Sequence, residues 1–263
     1  MKTINALARG LRVVATMNDA NAPLSLGELH ARTGIDRATI LRILATLESE
    51  GWVFRGLGDK RYRLSYKLHD LGTHVSIGDA IAHAAAPVLE QLQRVLEWPS
   101  DISVYDGDCM SIIETSRRNT PFLVNREVVG YRPNMLESAM GRVYFAFSDE
   151  RRRRLILERV SKKGGREAQL AADAGYIEHL VRDVREKGYA LRDPECYALP
   201  VSTPDSFNAI AVPVLVLGEV QASLNMVWIE TAYKGLRIED FFYDQLKLAA
   251  AELAQIFQEH GLY

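Results

Sequence analysis

Between Ala38 and Ser49 a single arginine, Arg42, stands among the short side chains Ala38, Thr39, Ala45, Thr46 and Ser49. These lie opposite Ile40, Ile43, Leu44 and Leu47 on a helical repeat. A helix faced this way can bring its backbone close to the floor of a DNA major groove. One guanidinium there offers a two-donor fork to guanine O6 and N7, or clamps a phosphate. Arg37 and Thr39 fall in the first turn, where backbone amides and the positive end of the helix dipole favour phosphate contact. Lys60, Arg61 and Arg63 sit on a β-prone hairpin and are expected to reach adjacent backbone or minor groove. Arg9 in the first helix and Ser25 at the start of the second complete the expected DNA-facing set. Other chemistries lack their residues. The six histidines are scattered, the two cysteines form no C-x-x-C, and H-E-x-x-H, G-x-S-x-G, Walker and dinucleotide patterns are missing. No catalytic residue, metal site or cofactor is expected. Arg151 to Arg154 follows acidic Asp149-Glu150 and reads as a solvated helix face.

The elements that must position these residues are legible. Ile4, Leu7, Leu11 and Val14 recur at helical spacing before the turn-rich run Asn18 to Pro23. Ser25-x-x-Glu28 is a capping box opening a short second helix that ends at Gly34. Asp36 caps a third helix, with Ile35 and Ile40 as a hydrophobic staple and Gly51 beyond its end. Trp52-Val-Phe54 and Tyr62-Arg-Leu64, joined by Gly56 to Lys60, predict a two-stranded wing. From Tyr66 to Glu97 the pattern is helical, with a break expected at Pro87. Beyond Pro99 strands are expected at Ile102–Tyr105, Met110–Ile113, Ala209–Leu217 and Val220–Ile229. Helices are expected at Ser138–Ser148, at Asp173–Lys187 and through Phe242, Leu246, Ala249, Leu253 and Ile256. The fold class is α+β: a winged helix-turn-helix over 1–66, linker helices over 67–97 and a second domain over 98–263.

Charge divides the same way. Residues 1–68 hold 11 Lys+Arg against 6 Asp+Glu, leaving 21 against 28 for the remainder, so a basic head precedes an acidic body. The hydrophobic content, 48%, supports a real core. No apolar run approaches the ~20 residues of a membrane span, and no signal core opens the chain, so a cytoplasmic location without membrane contact is expected.

The chain resembles the IclR-type regulators of bacteria. The resemblance rests on Ala8-Arg-Gly-Leu-Arg12, Leu26 to Ile35, Ala38 to Leu44, Glu50-Gly-Trp-Val53, Arg61-Tyr-Arg-Leu64, Ser138 to Ala146, Gly188-Tyr189 and Ile210 to Val214. It implies double-stranded operator DNA as partner, a GAF-like effector-binding domain, homodimers often paired into tetramers, and target genes of catabolism. RNA polymerase joins the partners if the protein activates. Trp98 to Ser103 and Phe122 to Arg126 look most like the branch that controls aromatic-acid degradation. The effector positions carried over are Ala139, Met140, Gly141, Arg192, Ala209, Asn225 and Val227. Relatives that respond to glyoxylate tend to carry Asp, Cys, Ser and Ser where this chain has Arg192, Ala209, Asn225 and Val227. The exchange suits a small aromatic or other carboxylic acid, with either Arg192 or Arg126 as its anchor. Two other readings compete: an enzyme converting its ligand while the head autoregulates, and a DNA-binding protein with no ligand.

Overall fold

The structure is a computed structural model describing residues 2–72, 76–120, 127–194, 196, 207–229, 232, 237 and 239–263. Its contacts divide the chain into two compact units, Met1–Ser76 and Ile77–Tyr263. The division falls inside the stretch expected to link the domains.

The first unit holds helices α1 (Asn5–Asp19), α2 (Leu26–Thr33) and α3 (Arg37–Ser49), the hairpin β1 (Val53–Arg55) and β2 (Tyr62–Leu64), and the short α4 (Lys67–Gly72). The expected capping box is present: Ser25 Oγ accepts from the Glu28 amide at 3.3 Å and Glu28 Oε2 accepts from the Ser25 amide at 2.7 Å. Gly34 ends α2 at φ +69°, a left-handed conformation that costs a glycine little. Asp36 Oδ1 accepts from the Thr39 amide at 2.8 Å and starts α3. Ile40 and Leu44 from α3 meet Leu29, Val13, Met17, Val53 and Tyr62 in one core. The first helix departs from its expected facing. Val13 and Met17 point inward, while Ile4, Leu7 and Leu11 are 69%, 59% and 61% exposed. The helix carries two apolar faces, and the core takes the one nearer its C-terminal end.

The second unit is a five-stranded antiparallel sheet, order β4-β3-β7-β6-β5, between two helical layers. The strands are β3 (Ser100–Tyr105), β4 (Met110–Thr115), β5 (Ala190–Leu191), β6 (Phe207–Val216) and β7 (Glu219–Ile229). Alternation sorts the side chains. Ile210, Val212, Val214, Leu224, Met226 and Trp228 face α5 (Ile77–Leu96) and α10 (Glu239–His260). On the opposite layer, α6 (Ala139–Phe147), α7 (Glu150–Lys163) and α9 (Ala174–Lys187) bury Val143, Phe145, Ile156, Val160, Leu180 and Val184, with α8 (Gly165–Ala172) alongside. Each large apolar side chain removed from water contributes roughly 1.5–3 kcal/mol before entropy is counted. The break expected at Pro87 does not occur, since α5 runs through it. Only one helical amide is lost there, and Ala85, Val88 and Leu89 on either side are held in the core.

Candidate effector and DNA-binding sites

On α3 the expected outward face is outward. Ala38, Arg42, Ala45, Thr46 and Ser49 are exposed and Thr39 is half-buried. Thr46 Oγ1 donates to Arg42 O at 3.0 Å and Ser49 Oγ to Thr46 O at 2.8 Å, so both hydroxyl protons are spent on the helix and only lone pairs face outward. Leu41, 46% exposed beside Arg42, is an apolar member of this face that the small-residue pattern did not single out. Arg9 on α1 acts electrostatically on Asp36, the α3 cap. Arg37 comes within 4.0 Å of where a Cβ would stand on Gly27, in the first turn of α2. Arg9, Ser25 and Arg37 therefore gather at the starts of α2 and α3, where amides and helix dipoles favour phosphate. The Thr39 hydroxyl and amide also hold the Asp36 carboxyl below its usual range.

The wing cations differ among themselves. Lys60 is exposed at the hairpin turn, in the left-handed region at φ +56°. Arg61 is bound within the head: its Nη1 donates to Glu28 Oε2 and to Pro23 O, each at 2.9 Å. The hydrogen bond from Ser25, with help from Arg61, pulls the Glu28 carboxyl down to about 2. Arg63 pairs with Asp59 at 2.5 Å. Among the described residues, Arg37 and Arg42 make no ion pair, and both are exposed, Arg37 in the first turn of α3 and Arg42 in its middle.

In the second unit most of the expected effector positions come together on the sheet face under α6. One cross-strand row runs across all five strands: Ala190, Ala211, Asn225, Asp101 and Thr115. The next row places Ala209 opposite Val227, with Arg192 beside Ala209 through a backbone hydrogen bond of 3.0 Å. The first turn of α6, with Ala139 and Met140 buried, lies over this face; Ser223 Oγ donates to Met140 O at 3.0 Å. Asn225 Oδ1 accepts the Asp101 amide at 2.8 Å, leaving its NH₂ group as the end able to orient a ligand. Arg192 donates to Phe207 O at 2.7 Å and to Cys196 O. Arg126 lies outside the described residues.

Gly141 was expected to let the helix start approach a ligand, and its surroundings assign it another task. A Cβ there would stand 2.2 Å from Asn134 O and 2.5 Å from Met135 Cα, so the glycine admits the chain's own backbone. Its amide is already accepted by Ser138 Oγ at 3.0 Å.

Sequence reading missed the most polar feature of this face. Asp101, fully buried, accepts from Arg117 Nε at 2.8 Å, from Arg117 Nη2 at 2.6 Å and from Thr115 Oγ1 at 2.7 Å. An aspartate one position before Ile102 in a buried strand was the available signal, because such an acid requires a cationic partner. The 134–138 segment is held by a second network, in which Arg166 bridges Glu137 and Asp193.

Comparison with known proteins agrees with both units. Residues 6–55 match the IclR helix-turn-helix domain and residues 74–255 match the bacterial transcriptional regulator IclR C-terminal domain. The chain is 26% identical over 224 residues to the Pca regulon regulatory protein of Pseudomonas putida, covering 85% of this chain and 74% of that one. Two crystal structures share the fold. That of the Thermotoga maritima IclR superposes with a TM-score of 0.54 at 20% identity, covering 96% of this chain and 98% of the other. That of an IclR homolog from Microbacterium hydrocarbonoxydans complexed with 4-hydroxybenzoate superposes with a TM-score of 0.52 at 20% identity, covering 97% and 99%. The matched families and relatives are transcriptional regulators rather than enzymes. Among the described residues no helix is long and apolar enough to cross a membrane. With its winged helix-turn-helix head and its helix-covered antiparallel sheet, the chain belongs to the IclR family of transcriptional regulators.

Proposed function

We propose that operator binding or activation by this regulator is controlled by a small carboxylic acid, aromatic in kind, and that its targets are catabolic genes. The observation that carries the reading is the face under α6, where Met140, Ala209 and Val227 supply apolar surface, Asn225 an amide and Arg192 a cation within two adjacent rows. Small floor residues leave width for a ring, and a carboxylate taken from water needs a cation or amides to offset its desolvation. Likeness to the Pca regulon regulatory protein and to the homolog holding 4-hydroxybenzoate supports the same class. In the head, Arg42 reads or clamps the major groove, while Arg9, Arg37, Thr39 and Lys60 meet phosphates.

The protein acts in the cytoplasm as a homodimer, since helix-turn-helix proteins commonly read two related half-sites through their own two-fold axis. The exposed stripe Ile4, Leu7 and Leu11 on α1 is a surface suited to such pairing. A thermal-shift screen of aromatic and aliphatic carboxylic acids, followed by operator binding with each hit, tests the effector reading. Aromatic acids should raise the melting temperature and change operator affinity. A screen in which only aliphatic acids act, or none does, refutes it.

A further inference from the structure

Building on the reading of Arg42 in the major groove, we propose that Leu41 is a second specificity-determining residue, receiving the 5-methyl group of a thymine beside the base pair that Arg42 meets. Leu41 and Arg42 are consecutive on α3 and both are exposed, Leu41 at 46%. A helix rises about 1.5 Å per residue against about 3.4 Å per base-pair step, so two neighbouring side chains reach the same or adjacent base pairs. The outward face divides lengthwise. Ala38, Leu41 and Ala45, three and four positions apart, form an apolar strip, and Arg42, Thr46 and Ser49 form a polar one beside it.

The core does not account for Leu41. Ile40 and Leu44 are buried in the cluster of the head, with Ile43 and Leu47 packed against it, and Leu41 belongs to neither group. The other two members of its strip are alanines, so leucine alone has the length to project beyond them. One exposed leucine on a protein surface needs no explanation; this one stands on the helix that the head presents to DNA. In the major groove thymine carries a methyl group that no hydrogen-bonding side chain can read. Thr46 and Ser49 spend their hydroxyl protons on the carbonyls of Arg42 and Thr46, so Arg42 supplies the side-chain donors of this stretch and suits guanine. The apolar strip is left for the methyl. Seating the methyl against Leu41 removes both from water, a gain present only where the base is thymine.

The test uses the full chain and an operator that it selects from random DNA. Each thymine is replaced singly by deoxyuridine, which removes the methyl and keeps the pairing edge and O4, and Kd is measured by fluorescence anisotropy. The parent should weaken by about 4-fold at a thymine on or next to the base pair where Arg42→Ala relaxes discrimination, the fold-change expected for one methyl group. Leu41→Ala should bind the thymine and uracil duplexes alike at that position, and Leu41→Met should keep the parental preference. The ratio of the two Kd values within one variant does not depend on how much of that variant is folded. A methyl effect carried by duplex stiffness would persist in Leu41→Ala, because the DNA is unchanged. That persistence, or a parent indifferent to every thymine methyl, overturns the assignment while the Arg42 reading stands. If Arg42→Ala keeps parental affinity and salt slope, the groove reading itself fails and this assignment falls with it.

Discussion

Arg42→Ala separates recognition from folding. Arg42 is exposed in the middle of α3, makes no ion pair among the described residues, and lies opposite the buried Ile40 and Leu44. Alanine is a better helix former, and exposed substitutions of this kind change stability by about 0.5 kcal/mol or less. Any larger loss of DNA binding therefore belongs to the contact. If the guanidinium forks onto guanine, the cost is about 1–3 kcal/mol, or roughly 5- to 150-fold in Kd, and discrimination at that base pair relaxes. If it clamps a phosphate, binding weakens on all sequences alike and the slope of log K against log salt becomes shallower by about 0.9. Fluorescence anisotropy across a salt series, using operator selected by the parent from random DNA and a scrambled duplex, distinguishes the two. Leu44→Ala is the folding control: Leu44 is buried, and its truncation should cost about 3–5 kcal/mol of head stability with the thermal transition lowered accordingly. Parental affinity and parental salt slope in Arg42→Ala would refute the groove assignment.

Two further changes probe the second unit. Gly141→Ala should lower its stability by roughly 1–3 kcal/mol, because the new methyl meets backbone atoms at 2.2–2.6 Å and the helix-propensity gain of about 1 kcal/mol cannot offset that; a variant melting at the parental temperature would contradict the packing role. Burial pushes the Glu167 carboxyl up despite the Leu136 amide it accepts at 2.8 Å. A carboxyl raised in the folded state contributes stability at low pH and loses it as pH climbs through the folded value. Glu167→Gln should therefore melt above the parent near pH ~8, with the gap closing toward pH ~4, and scanning calorimetry showing equal melting temperatures at the higher pH would count against this.

The head was legible because its signals are local. Ser25 with Glu28, Gly34, Asp36 and the Ile40–Leu47 stripe each act within a few residues, and each appears as read. The facing of α1 was not legible, since Ile4, Leu7 and Leu11 are as apolar as Val13 and Met17, and only tertiary packing decides between them. The face proposed for the effector was legible only through resemblance. Its residues come from α6, β6, β7 and the end of β5, and no periodicity joins Met140 to Asn225. The Asp101–Arg117 pair depends on β3 lying between β4 and β7, a register that spacing alone does not specify. Pro87 misled because a proline's local cost was weighed without the core that absorbs it. The wing residues Arg61 and Arg63 lie on the hairpin as read, but the partners Glu28 and Asp59 that hold their guanidiniums were not foreseen.

The tie between wing and second helix reaches beyond local geometry. Tyr62 and Leu24 exchange two backbone hydrogen bonds, at 2.8 and 3.1 Å, and Arg61 joins the same spot to Glu28 and Pro23. The hairpin is thus ordered before DNA arrives, and the ordering entropy of a floppy wing is not charged against binding. The same stiffness removes latitude. With its base fixed to the start of α2, the hairpin has little freedom to slide, so if the wing meets a groove as proposed, a duplex whose shape does not match would itself have to deform.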